Sequence, residues 1–307
     1  MAGITCKDLS KTYAGGKKAL KRVSFSFNRN GIIAIIGRNG AGKTTMVRIL
    51  STQLTPTSGH AYINGIDVVT CADSVREQIA IVPQEARAIQ WLTPMQSIVS
   101  YLMYRGFGYR ESNRRARDML ARMELKDASD KLNRLLSGGT KRKVMVATVL
   151  ASEAKVIFLD EPTTGLDPIS RSDLWKMLTK LKDDYLIFLT THYLEEAERL
   201  ADVIGIMDNG RMLTIGSMDQ LRRMVGHQYS LRIFGGGNVP KPRKGNVIKG
   251  MDGSTQILTG EAEAFRLSKQ LILKHIKFSI NPVSLEDIFY YVVKRPIEND
   301  EGGNDEW

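Results

Sequence analysis

Cysteine is nearly absent: Cys6 and Cys71 are the only two in 307 residues. They supply no disulfide framework, and a reducing cytosol is the expected setting. Long apolar runs are missing too, since none approaches the roughly 20 residues that cross a bilayer. The opening MAGITCKDLSKTY lacks the apolar core of a secretion signal. No internal repeat is visible.

What is present has the make-up of a globular protein. Hydrophobic residues are 42% and charged residues 25%, which indicates neither disorder nor a membrane protein. The length allows one good core and a smaller second domain. The net charge of +11 is the unusual figure. It would suit nucleic acid, an anionic membrane face or acidic ligands. Yet the basic residues are scattered apart from TKRK (140–143), RRAR (114–117) and KPRK (241–244), so a solvated basic surface is expected. The end, ENDEGGNDEW, reads as part of an acidic disordered tail over 296–307.

The first part of the chain reads as short strands, ITCKDLS, VSFSF and HAYINGIDV, forming an antiparallel patch. GIIAIIG (31–37), KVIFLD (155–160) and YLIFLTT (185–191) are unbroken apolar runs, suited to a parallel sheet covered on both faces. Residues 87–150 turn helical, with Ala116, Met119, Leu120 and Met123 on one helix face. IGIMDNGRMLTIG (204–216) is a hairpin turning at Asp208-Asn209-Gly210. The texture changes near His227, which places a first domain over 1–227 and a small α/β domain over 228–295.

Gly37-Arg38-Asn39-Gly40-Ala41-Gly42-Lys43-Thr44 satisfies the pattern GxxxxGK[ST], with an apolar strand before it and a helix after it. Backbone N–H groups and the helix N-terminus would face a phosphate. Lys43 would reach the β- and γ-phosphates, Thr44 would coordinate Mg²⁺, and Thr45 with the amides from Asn39 onward would hold the α- and β-phosphates. KVIFLDEP then delivers Asp160 to a strand end, where it can hold magnesium through water. Glu161 follows, placed to orient or deprotonate a water attacking the γ-phosphate. Nucleotide binding and hydrolysis are expected.

With these residues placed, the chain resembles the nucleotide-binding subunits of ATP-binding cassette transporters over about residues 3–225. Tyr13 sits where the family stacks an aromatic ring on adenine. Gln84 in IVPQEA matches the loop glutamine that contacts Mg²⁺ and couples to the membrane partner. LLSGG (135–139) matches the signature motif, GLDP (165–168) the loop after the acidic pair, and His192 the switch histidine. The resemblance implies an α/β fold: a P-loop NTPase core with parallel sheet, an antiparallel β-subdomain, a helical subdomain and the small C-terminal domain.

It also gives the second glycine-turned helix start a ligand. Ser137, Gly138 and Gly139 would cover the ATP held by another copy, or a related cassette subunit, in a head-to-tail dimer, with Asp167 near the axis. A simple cap by Ser137 would leave both glycines unexplained. The signature departs from its usual glutamine at Thr140, and Arg38 replaces the commoner Pro or Ser. The implied protein is an ATPase on the cytoplasmic face of the cell membrane, powering transport through a separate permease. Ala86, Arg87, Trp91, Met95, Tyr101 and Tyr104 would offer the docking surface. The tail PVSLEDIFYYVVKR (282–295) resembles that of drug-exporter ATPases of the ABC-2 class. The alternative is a soluble cassette acting on nucleic acid or the translation machinery, but no nucleic-acid partner is expected.

Overall fold

The computed structural model describes residues 2–234, 241–243, 245–249 and 254–293. The tail over 296–307 lies outside them. Strand β1 (Ile4–Thr12) pairs antiparallel with β2 (Lys18–Phe27), Ile4 opposite Phe27 and Cys6 opposite Phe25. The alternation in VSFSF is realised: Val23, Phe25 and Phe27 are buried, Ser24 and Ser26 exposed. Strand β3 (Gly31–Ile36) is buried throughout and leads to helix α1 (Lys43–Leu50). β4 (Ser58–Ile63) and β5 (Ile66–Asp67) complete an antiparallel sheet in the order β2-β1-β4-β5.

After α2 (Ala72–Gln78) and β6 (Ile79–Val82) come the helices α3 (Pro94–Tyr104), α4 (Tyr109–Arg122) and α5 (Gly138–Leu150). A capping box starts α3: Thr93 Oγ1 accepts from the Gln96 amide at 3.2 Å, and Gln96 Oε1 accepts from the Thr93 amide at 2.9 Å. A side-chain cap of this kind contributes about 1 kcal/mol. Ala116, Met119 and Leu120 form the buried stripe of α4, and Met123, just beyond its end, is buried with them.

The central sheet adds β7 (Val156–Asp160), α6 (Pro168–Leu181), β8 (Leu186–Thr191), α7 (Leu194–Leu200), β9 (Val203–Asp208) and β10 (Arg211–Gly216). Its order is β10-β9-β3-β8-β7-β6. The pairs β6–β7, β7–β8, β8–β3 and β3–β9 are parallel. Every residue of β3, β7 and β8 is buried, as expected for strands covered on both faces. Parallel pairing collects the strand ends at one edge, with Ile36 beside Thr191 and Asp160 beside Thr190. The segments after β3, β7 and β8 must therefore meet there. The Phe158 and Phe188 rings lie 5.5 Å apart, and Phe25 of the antiparallel sheet reaches Phe188 at 6.3 Å. The β9–β10 turn has positive φ at Asn209 (46°) and Gly210 (78°), which a tight hairpin requires.

The chain forms two compact units, Met1–Leu213 and Thr214–Trp307. The sequence pointed to a boundary near His227; the division falls earlier because α8 (Met218–Val225) belongs with the C-terminal elements. Its Arg222 Nε donates to Val283 O at 2.9 Å, and Leu221 and Val225 are buried. The second unit continues with β11 (Tyr229–Ile233), β12 (Asn246–Lys249), β13 (Thr255–Thr259), α9 (Glu261–Leu273), β14 (Phe278–Pro282) and α10 (Leu285–Val293). The strands form an antiparallel sheet, β12-β13-β11-β14. Leu231, Ile233 and Ile257 pack against Ala264, Leu267 and Leu271 of α9. This is a small α/β domain, starting one helix earlier than the sequence suggested.

Candidate functional site

The loop from Gly37 to Gly42 carries the chain from β3 into α1 under close neighbours. A Cβ at Gly37 would sit 2.4 Å from Met207 O. Gly42 has φ 107°, and a Cβ there would sit 2.5 Å from Ala19 O. No other residue type fits these two positions without displacing backbone. The Ala41 amide donates to Arg38 O, and Ala41 O accepts from the Gly210 amide, both at 3.0 Å, so the β9–β10 hairpin braces the loop. Asn39 and Gly40 are exposed at its tip, with Arg38 half-buried behind them. The first amides of α1 are free of intrahelical partners by construction, which suits this end to an anion.

Lys43 is buried and folds back on the loop, its Nζ donating to Gly37 O at 2.7 Å and Arg38 O at 3.3 Å. The same Nζ lies 3.6 Å from Glu161 Oε1. Burial lowers the Lys43 pKa, with Glu161 pulling the other way. Thr44 Oγ1 donates to Asp160 Oδ1 at 3.4 Å, and the Thr190 hydroxyl bonds the same oxygen. Burial pushes the Asp160 carboxyl up, against the pull of those two hydroxyls. Tyr13 lies just past β1, half-buried, its hydroxyl 3.2 Å from Thr45 Oγ1.

Glu161 is where these groups converge. Its Oε2 accepts from Gln84 Nε2 at 3.1 Å and from Thr164 Oγ1 at 3.2 Å, and lies 3.1 Å from His192 Nδ1. Burial would raise this carboxyl, but the His192 bond, the Lys43 charge and Thr164 outweigh it and hold it below its ordinary value. The carboxylate is thus kept ionised in a nearly dry setting, where it can accept a proton from a water. Glu161 has φ 47°, an unusual left-handed backbone for a residue with a side chain. Its amide donates to Thr190 O at 3.0 Å.

The oxygen donors also suit a magnesium ion. Mg²⁺ is usually held by one or two side-chain oxygens together with substrate phosphates and water. Thr44 and Asp160 side by side fit that description. Among the described residues no cluster of three His, Cys, Asp or Glu side chains forms a fuller metal cage.

The second glycine-turned helix start stands apart from this cluster. Ser137 caps α5, its Oγ accepting from the Thr140 amide at 3.1 Å. The two glycines that follow differ. Gly138 is exposed with open space around it, whereas Gly139 is buried and a Cβ there would lie 2.3 Å from Ser170 Oγ. The approach of α5 to α6 is thus one reason for glycine at 139, whereas Gly138 has no such packing neighbour. Asp167 caps α6 through Oδ1, which accepts from the Ile169 and Ser170 amides at 3.0 Å. The two helix starts lie together and face outward, with Leu135 70% and Ile169 77% exposed. Among the described residues, no hydrogen bond or ion pair joins Ser137, Gly138 or Asp167 to the group around Lys43.

Sequence reasoning missed Thr190, Thr164 and Arg142, which complete the surroundings of Asp160 and Glu161. Thr190 was readable only as a strand residue, and Arg142 only as part of a basic run. A groove of about 390 Å³ lies beside the loop after β6. Of the expected docking residues, Ala86, Arg87, Tyr101 and Tyr104 line it, alongside Ile89, Val144 and Met145. Trp91 and Met95 do not, although Trp91 is 76% exposed.

The ABC transporter family profile matches residues 20–164. A daunorubicin resistance ATP-binding protein from Streptomyces coeruleorubidus is 40% identical over 224 residues, covering 73% of this chain and 71% of that protein. The phospholipid-transporting ATPase ABCA3 of Mus musculus is 34% identical over 236 residues, which is 76% of this chain and only 14% of the mouse protein. Among solved structures, a dimeric ATP-binding cassette in a post-hydrolysis state with ADP and Pi superposes with a TM-score of 0.62. It is 26% identical, over 70% of this chain and 98% of its own.

Proposed function

The chain belongs to the ABC transporter ATP-binding family, and from that premise we propose that it powers export through a separate membrane protein by closing with a second cassette around ATP. It binds ATP and is an ATPase by family. The observation that carries the finer reading is the separation of two anion-binding helix starts. One, at Lys43, is joined to the buried carboxylate Glu161; the other, at Ser137-Gly138, is exposed, and its hydrogen bonds among the described residues stay within its own helix start.

In this reading the loop from Gly37 to Thr45 wraps the phosphates, Lys43 pairs with the terminal phosphate oxygens, and Tyr13 receives the base. Glu161 takes the proton from the attacking water, while His192 and Gln84 keep it aimed. Mg²⁺, held by Thr44 and Asp160 with Gln84 nearby, would neutralise charge on the phosphates. Ser137, Gly138 and Asp167 serve the nucleotide of the second cassette, an identical or related chain. The dimeric cassette bound to ADP and Pi supports that arrangement.

Export is favoured by the drug-resistance relative and by the short final helix α10 after Pro282. No helix among the described residues is long and apolar enough to cross a membrane, so a separate permease would carry the pore. The groove lined by Ala86, Arg87, Tyr101 and Tyr104 would receive it and hold the chain at the inner face of the cell membrane. Action on nucleic acid is disfavoured by two of the basic runs: Arg142 is buried, and Arg114 and Arg115 both pair with Glu111.

Glu161→Gln in saturating MgATP tests this directly. Light scattering should report a stable dimer, and Ser137→Arg should bind ATP without turning it over. A Glu161→Gln variant that stays monomeric with ATP bound would overturn the two-cassette reading.

A further inference from the structure

Arg142 is 7% exposed, a guanidinium almost entirely inside the protein. It comes from α5, five residues beyond the cap Ser137. Its Nε and Nη2 both donate to one short stretch of backbone. Nε donates to Pro162 O at 2.6 Å, and Nη2 donates to Glu161 O at 3.0 Å and to Asp160 O at 3.4 Å. Three successive carbonyls are thus held by one side chain from another element. Burial disfavours its charge, and the Glu196 and Asp160 carboxyl groups offset this only in part.

The carbonyls it holds belong to a turn whose own backbone adds one long bond, from the Thr164 amide to Glu161 O at 3.3 Å. Glu161 has φ 47°, a conformation a residue with a Cβ keeps only when its surroundings impose it. On the strand side, the Glu161 amide is tied to Thr190. On the other side, Arg142 fixes the carbonyls. The direction of the Glu161 carboxylate depends on this backbone, so it depends on where α5 sits. Ser137 and Arg142 are separated by ~7.5 Å along a single helix, which moves as a rigid body.

We propose that Arg142 is a positioning residue for hydrolysis: it transmits the engagement of the Ser137–Gly138 helix start to the backbone that aims Glu161 in the same chain. This rests on the reading that Ser137 and Gly138 cover the nucleotide of a second cassette. Each centre then senses, through its own α5, whether the other centre is loaded.

The tests use the full chain. Arg142→Lys supplies one ammonium in place of a fork and cannot hold three carbonyls. Its kcat should fall by about tenfold or more while its KM for ATP stays within about twofold. Glu161→Gln combined with Arg142→Lys should still dimerise in ATP. If Arg142→Lys does not fold, Arg142→Gln, whose amide can still donate to Pro162, is read in the same assays. Unchanged kcat overturns the proposal; so does loss of ATP-driven dimerisation in the double variant when Glu161→Gln alone dimerises.

Mixing separates the chain on which Arg142 acts. Arg142→Lys and Glu161→Gln chains, each slow alone, should stay slow when mixed, because the chain that keeps Glu161 lacks the arginine that aims it. Recovery to about one quarter of the wild-type rate, from one working centre in the half of the dimers that pair the two chains, would place Arg142 in its partner's centre and overturn the proposal. Full turnover by Ser137→Arg alone would instead remove the two-cassette reading, and the proposal with it.

Discussion

Lys43 Nζ stands 3.6 Å from Glu161 Oε1, and the two side chains are only 4% and 7% exposed. A buried ion pair of this kind is costly to break from one side, because the remaining charge is left in a dry setting. The terminal phosphate of ATP would compete with Glu161 for the same ammonium. Nucleotide binding would then free the carboxylate for water.

Lys43→Ala should abolish measurable ATP binding, read by titration with a fluorescent ATP analogue. It should also lower unfolding stability by about 3 kcal/mol, because Glu161 loses its cation. Binding of ATP with wild-type affinity would show that the ammonium has no part in holding phosphate.

The low-lying carboxyl of Glu161 fixes a sign. Its folded pKa is below the ordinary 4.5, so its stabilising contribution is complete above 4.5 and is lost as pH falls through the folded value. Urea unfolding between neutral pH and about pH 3 should show Glu161→Gln losing less stability than the wild type across the acid limb. Parallel curves would contradict the assignment.

Glu196 carries the opposite sign. It is wholly buried, accepts from Trp175 Nε1 at 3.0 Å, and burial raises its pKa above 4.5. Its stabilisation is therefore full below 4.5 and is lost as pH rises toward the folded value, at up to about 1.4 kcal/mol per pH unit. Glu196→Gln should flatten that decline while keeping the Trp175 bond. A variant with an unchanged slope would refute it.

Gly139→Ala should lower the thermal midpoint, since the new Cβ falls 2.3 Å from Ser170 Oγ and 2.5 Å from its Cβ. The cost should be about 1–3 kcal/mol, typical of overpacking. Adding Ser170→Gly should recover part of it, a coupling that a double-mutant cycle measures directly. Additive losses would mean that the α5–α6 approach is not what requires this glycine.

Tyr104 is 89% exposed on the rim of the groove. Tyr104→Glu should reduce the amount of membrane protein that co-purifies with the chain. Equal recovery with the variant would direct the search for the docking surface elsewhere.

Local rules in the sequence carried a long way. Apolar runs named β3, β7 and β8, and the alternating segments named the antiparallel sheet. The phosphate loop announced itself because its glycines, lysine and threonine are contiguous. Gly139 was harder: its neighbour Ser170 is distant in sequence, and a glycine required by packing looks the same as one required by a ligand. The domain boundary was misplaced for a similar reason, since α8 is assigned by its contacts with Val283 rather than by its composition.

From its residues alone, this chain pointed to candidate groups for binding phosphate and supplying a carboxylate, because those chemistries need particular side chains at short spacing. Tertiary structure decided how they act together. Parallel pairing of β3, β8 and β7 brings Lys43, His192 and Glu161 to one edge, and Arg142 reaches the Glu161 turn from a helix that begins among exposed residues. Such meetings depend on the register of strands and the packing of helices, which short-range sequence patterns do not encode.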